Sequence, residues 1–188
     1  MNIYLYVSTG IIAAAGIWQL GVWLFESKGK RQKYRDAVSY AKRAGKPLLV
    51  AGGPWGVLPY RYRLRVPAHG GGDVCLDIDW HALRDYPCGI ISDVKWIPFQ
   101  DKCFGAVFAS HILEHLNTVE DAAMAIGELK RVSDAVFIVS PSRQSIAASL
   151  KKEHHLWLWQ KGNVICIKQR GREGKYRAVV RCPLPLLK

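Results

Sequence analysis

The residues that could do chemistry stand at the ends of short apolar runs. Gly52, Gly53 and Gly56 follow Pro47–Ala51 (PLLVA). Glycines after a buried strand bring the backbone close to a ligand because no Cβ intrudes, although such clusters also make plain turns. Asp77 and Asp79 close Asp73–Asp79 (DVCLDID). In nucleotide-binding α/β folds an acid at that place accepts from both ribose hydroxyls, which a carboxylate with two acceptor oxygens suits. Asp77 is the expected ligand, and Asp79 the cap of a short helix over Trp80–Arg84. Asp93 ends Gly89–Asp93, and Ser110 and His111 end Gly105–Ser110. A histidine there is the natural general base near neutral pH.

Acids and small polar residues at the ends of apolar runs are how parallel strands present side chains at their carboxyl edge, where open α/β sheets bind ligands. The elements that must position them read off in order. Residues 32–44 place Tyr34, Ala37, Val38 and Ala41 on one face of a helix, which Gly45-Lys46-Pro47 stops. After the fourth strand, Thr118-x-x-Asp121 opens a helix to about Val132, with Ala122, Ala123, Ile126 and Leu129 toward the sheet. Ala135–Ser140 (AVFIVS) is the fifth strand, followed by a helix from about Arg143 to Lys152. Asn163–Gln169 and Tyr176–Cys182 flank Gly171-Arg172-Glu173-Gly174, a hairpin pattern. Trp157 and Trp159 are expected in the core, with an acceptor pocket or a bilayer interface as alternatives.

The stretch Asp93, Ile97, Pro98, Phe99, Asp101, Phe104, Val107, Leu113, Glu114, His115 resembles, in unbroken register, the class I S-adenosylmethionine-dependent methyltransferases of the small-molecule, methyltransferase-11-like branch. Their pattern is D-x-x-x-[LI]-P-F-x-D-x-x-F-D-x-[VI], then [LI]-E-H. The resemblance spans about residues 46–182. It implies a Rossmann-like α/β fold with a seven-stranded sheet in the order 3-2-1-4-5-7-6, strand 7 antiparallel. It also implies S-adenosylmethionine as cofactor, held by Gly52, Gly53, Gly56 and Asp77, with Asp93 on the adenine amino group and Val94 over the ring. Ser110 and His111 then stand where the methyl group faces its acceptor. The chain departs from the pattern at Gly105, where the family has an acid, and at Val50 and Ala51, where an acid would precede the glycines. In place of the long helix after that motif stands VLPYRYRLRVPAHGGG, whose prolines and alternating Arg61, Arg63 and Arg65 read as an extended segment.

Metal chemistry is not expected. His111, Glu114 and His115 spell H-x-x-E-H, a zinc motif when both histidines share a helical face, but a third ligand is lacking and the strand-and-helix register already accounts for the residues. His154 and His155 are adjacent, which does not suit one ion. The five widely spaced cysteines contain no C-x-x-C pair, so neither a disulfide framework nor a zinc ribbon is indicated.

Residues 1–25 carry no Asp, Glu, Lys or Arg. Ile3–Phe25, at about 1.5 Å per residue, is long enough to cross a hydrocarbon core of roughly 30 Å, with a buried core helix as the alternative. Lys28, Lys30, Arg31, Lys33 and Arg35 follow at once. The positive-inside rule puts the amino terminus outside and the remainder on the cytoplasmic side. The chain divides accordingly into a single-pass anchor (1–27), a basic juxtamembrane helix (28–45) and a methyltransferase-like domain (46–188). A net charge of +12 suits anionic headgroups, and a membrane-protein complex is the other expected partner; nucleic acid is not expected. The expected function is methyl transfer to a lipid, a quinone-like molecule or a membrane-protein side chain. The rivals are an inactive accessory or assembly subunit of a membrane complex and a membrane-tethered nucleic-acid-binding module.

Overall fold

The computed structural model describes residues 3–53, 70–83, 86–162, 164–170 and 182–183. Gly56, Arg61, Arg63, Arg65 and the 171–174 turn lie outside the described residues. So does Arg84, the expected end of the short helix.

Alternating apolar residues build a parallel sheet buried on both faces. Its strands are β1 (Leu48–Ala51), β2 (Val74–Asp77), β3 (Gly89–Ile91), β4 (Phe104–Ser110) and β5 (Ser133–Val139), in the order β3-β2-β1-β4-β5. All four pairings are parallel. Successive residues supply opposite faces: Leu49, Ala51, Leu76, Val107, Ala109 and Val136 face one way, and Leu48, Val50, Cys75, Ala106, Phe108 and Phe137 the other. The chain order reverses between β1 and β4, so the crevice where such sheets bind ligands opens between their carboxyl ends.

The helix α1 (Ile3–Ala44) runs unbroken through Ser27 and Lys28. Its last three turns bury Ala37 and Ala41 on the second face, where Tyr34 meets Phe108 edge-on at 5.3 Å and Tyr40 meets Phe137 at 6.4 Å. This contact explains Gly105. A Cβ there would stand 2.8 Å from the Ala41 Cα, so the position that carries an acid in the methyltransferase pattern is here given up to helix packing.

The first face is covered by α2 (Val119–Val132), capped by Thr118, whose hydroxyl accepts from the Asp121 N–H at 3.0 Å. Beside α2 lies an antiparallel sheet of β6 (Leu156–Lys161), β7 (Val164–Gln169) and β8 (Cys182–Pro183), in the order β6-β7-β8. Between β5 and β6 stands a single short helix, α3 (Ile146–Leu150). The expected seven-stranded order therefore stops at five strands, and the carboxyl-terminal strands form a sheet of their own. Leu156, Leu158, Ile165 and Ile167 give one apolar face, buried on α2 and the turn after β4. A further hairpin precedes the expected one: β6 turns into β7 at Gly162 (φ 59°), and β7 pairs in turn with β8 antiparallel, Ile165 opposite Cys182, in keeping with the expected pairing of Asn163–Gln169 with Tyr176–Cys182. Trp157 and Trp159 leave the core for the outer face, under Arg170 (5.0 Å) and Arg143 (4.5 Å), as cation–π pairs.

Candidate functional site at the carboxyl ends of the strands

Register brings the expected residues to one edge. Ala51 pairs with Leu76 on one side and Ala109 on the other, so Gly52, Asp77 and Ser110 come next on three neighbouring strands. Gly52 (φ 101°) and Gly53 (φ 54°) both adopt the left-handed region that favours glycine, and Gly52 N–H donates to the Leu76 carbonyl at 2.9 Å. A Cβ on Gly52 would meet the Ser110 carbonyl at 2.5 Å; one on Gly53 would meet Ala82 Cβ at 2.8 Å and Asp77 Oδ2 at 3.0 Å. The two glycines thus pack directly against Ser110, Ile112, Ala82 and Asp77, which leave no room for a side chain at positions 52 and 53.

Asp77 Oδ1 accepts the Asp79 N–H at 2.9 Å, and Oδ2 lies beside Gly53. Asp79 caps the 3-10 turn Trp80–Leu83: its Oδ1 takes the His81 N–H at 2.9 Å and lies 3.0 Å from His81 Nδ1, and these bonds hold its carboxyl below the usual range. Asp79 thus serves as the cap that its position suggests, while Asp77 stands at the strand edge beside Gly53.

The third strand behaves differently. It ends at Ile91, and Asp93 lies in the following turn, where Oδ1 accepts the Lys95 N–H at 2.9 Å and Oδ2 is 3.6 Å from the Lys95 ammonium. Lys95 also reaches Asp121 at 3.1 Å. Val94, expected over a ring, is buried in the core beneath α2. The apolar side chains actually presented at this edge are Ile78, Trp80, Ile91 and Trp96, all more than half exposed. The exposed Ile78 directly after Asp77 was the available signal for them.

His111 follows β4 in a left-handed conformation (φ 57°), a strained state for a residue with a Cβ. Its N–H donates to the Val139 carbonyl at 2.9 Å, and its Nδ1 lies 3.1 Å from Glu114 Oε1. The side chain is 33% exposed and Glu114 1%. The strand ends at Ser110, and a 3-10 turn takes up only Leu113–His115. His111 and His115 accordingly share no helical face. Glu114 and His115 instead meet His154, delivered by the segment before β6. Separation along the chain hid that approach.

No family model and no curated protein matches the chain. Among solved structures, the PH0226 protein of Pyrococcus horikoshii OT3 superposes with a TM-score of 0.40 at 16% identity, over 74% of this chain and 73% of that one. A 1,6-didemethyltoxoflavin-N1-methyltransferase of Burkholderia thailandensis, solved with 1,6-didemethyltoxoflavin and S-adenosylhomocysteine, gives 0.38 at 10%, over 90% and 70%. At these scores the likeness carries no functional weight, and assignment rests on the residues themselves.

Proposed function

We propose that the chain is a membrane-anchored S-adenosylmethionine-dependent methyltransferase acting on a lipid, a quinone-like molecule or a membrane-protein side chain. The observation that carries this reading is the meeting of Gly52, Gly53, Asp77 and Ser110 at the carboxyl edge of three neighbouring strands, at the point where strand order reverses. The cofactor supplies an electrophilic methyl group on a sulfonium. What the chain must add is placement and exclusion of water. Gly52 and Gly53 let the main chain approach, Asp77 offers carboxylate oxygens to ribose hydroxyls, and Ile78 gives an apolar surface beside it. His111, steered by Glu114, takes a proton from an acceptor that must lose one.

The membrane part of the reading rests on α1. Its residues Tyr6–Trp18 are exposed throughout, and the helix is apolar and long enough to cross a bilayer. Lower down it meets the segment after β5. Gln19 donates to the Gln144 carbonyl at 3.0 Å and accepts from the Ile146 N–H at 2.9 Å, and Glu26 accepts the Ser142 N–H at 2.6 Å. These bonds tie α1 to the segment after β5 at Gln19 and Glu26, within the stretch expected to lie in lipid, and Ile146 and Leu150 of α3 beside them are exposed. Of the basic cluster, Lys33 turns inward to the Ile138 carbonyl at 2.7 Å, and burial lowers its pKa; Lys28 and Arg31 are exposed for headgroups. A cytoplasmic domain with the amino terminus outside follows from the positive-inside rule.

A second reading, an inactive accessory or assembly subunit, is favoured by the commitment of Asp93 to Lys95, the burial of Val94 and the fully buried Val50 and Ala51 before the glycines. Titration of S-adenosylhomocysteine into the full-length chain in detergent separates the two. Micromolar binding, weakened more than about tenfold by Asp77→Ala, is the expected result. Absent binding, or binding indifferent to Asp77→Ala, leaves the accessory role. If binding holds, His111→Gln should lower kcat by about 10²- to 10⁴-fold with little change in cofactor affinity.

A further inference from the structure

The crevice uses His111 and leaves a second polar cluster behind it unexplained. Glu114 and His154 are 1% and 5% exposed. Glu114 Oε2 and His154 Nδ1 are buried, and among the described residues neither has a hydrogen-bond partner. Leaving such atoms unsatisfied costs about 1–3 kcal/mol each, and more for a charge. The two segments are fixed against each other by main-chain bonds: His155 N–H donates to the Glu114 carbonyl and Arg170 N–H to the His155 carbonyl, both at 2.8 Å. The juxtaposition is therefore built into the fold.

We propose that Glu114, His115 and His154 bind one divalent transition-metal ion of the zinc class. Their donor atoms lie within 4.8 Å of one another. Tetrahedral bonds of about 2.0–2.2 Å set donors roughly 3.3–3.5 Å apart, so the cluster contracts by about an ångström on binding. The exposed ring of His115, edge-on to His154 at 4.8 Å, has the freedom to supply that movement. Two imidazoles and a carboxylate select zinc, cobalt or nickel over magnesium or calcium, which take oxygen donors. Outer partners that orient the ligands are already present. His111 Nδ1 lies 3.1 Å from Glu114 Oε1, leaving Oε2 for the ion, and His115 Nδ1 lies 3.2 Å from the Glu153 carbonyl, which fixes the tautomer with Nε2 as donor. Lys151 and Arg170 nearby add positive charge that limits affinity. Three protein donors leave a fourth position open. Occupancy clips the β6–β7 hairpin to the turn after β4 and holds the carboxylate that steers His111. None of this depends on the methyl-transfer reading.

The test uses the full-length chain in detergent, stripped with chelator and titrated with zinc by calorimetry and with cobalt by visible absorption. Expected are one equivalent bound at about micromolar affinity or tighter, a higher melting temperature with zinc, and a four-coordinate cobalt spectrum lacking a thiolate charge-transfer band. His115→Ala, at an exposed position that does not threaten folding, and Glu114→Gln should each weaken binding by more than about tenfold. Absence of binding, binding indifferent to His115→Ala, or a thiolate band marking a cysteine as ligand would overturn the proposal.

Discussion

Two turns flank β4, and they are built on opposite principles. At the amino end, residues 97–103 are locked by one guanidinium. Arg131 donates to the carbonyls of Ile97 (2.9 Å) and Phe99 (2.8 Å), to Asp101 (2.8 Å) and to Glu128 (2.7 Å), while Phe99 stacks edge-on to Phe104 at 4.9 Å. The Lys102 ammonium closes the loop on the Lys130 and Ser133 carbonyls at 2.7 and 2.6 Å. Each turn holds one left-handed residue with a Cβ, Lys102 (φ 55°) and His111 (φ 57°). What sets residues 110–115 apart is a buried carboxylate oxygen, Glu114 Oε2, that has no partner among the described residues, the usual mark of a site. The methyltransferase-like pattern runs through both, so its amino half records packing and only its carboxyl half bears on chemistry.

The contrast can be tested by substitution, with unfolding measured on the full-length chain in detergent. Phe104→Ala, in the locked turn, should cost the most, about 3–5 kcal/mol, since it empties a fully buried aromatic site. Gly52→Ala, in the crevice, should cost about 1–3 kcal/mol through its left-handed backbone and the clash with the Ser110 carbonyl, and it should abolish cofactor binding; a stable, binding-competent variant would break the comparison. Acid should attack the locked end first. Arg131 holds the Glu128 carboxyl below its ordinary value, so its contribution is present above the unfolded carboxylate pKa and is lost as pH falls through the folded one. Melting temperatures followed downward from neutral pH should fall less steeply in Glu128→Gln than in the parent. The smallest change belongs to neither turn. Gly127, exposed in α2 with open space where a Cβ would go, should gain about 0.5–1 kcal/mol on substitution by Ala.

What the sequence shows of this molecule is set by how local each signal is. Strands β1 to β5 announce themselves as buried runs, and α2 by its cap at Thr118 and the stripe of Ala122, Ile126 and Leu129, all buried. Gly52, Gly53, Asp77 and Ser110 are legible because parallel strands must end at one edge. The helix contact that demands Gly105 and the meeting of Glu114 with His154 are invisible to pattern, since each joins a residue to one far along the chain. The β6–β7 hairpin was legible in principle. Gly162-Asn163 separates two alternating runs, the short-range hairpin signal, but the paired histidines and tryptophans before it compete with a strand reading.

The unbroken course of α1 has a mechanical consequence. Forty-two residues in one helix make a strut of roughly 63 Å, bolted to the sheet at its carboxyl end. Under the membrane-anchored reading proposed above, such a mast differs from a leash: it would set the height and the compass bearing of the strand tips over the bilayer, so that a reactant confined to the lipid phase would meet them at one depth and from one side.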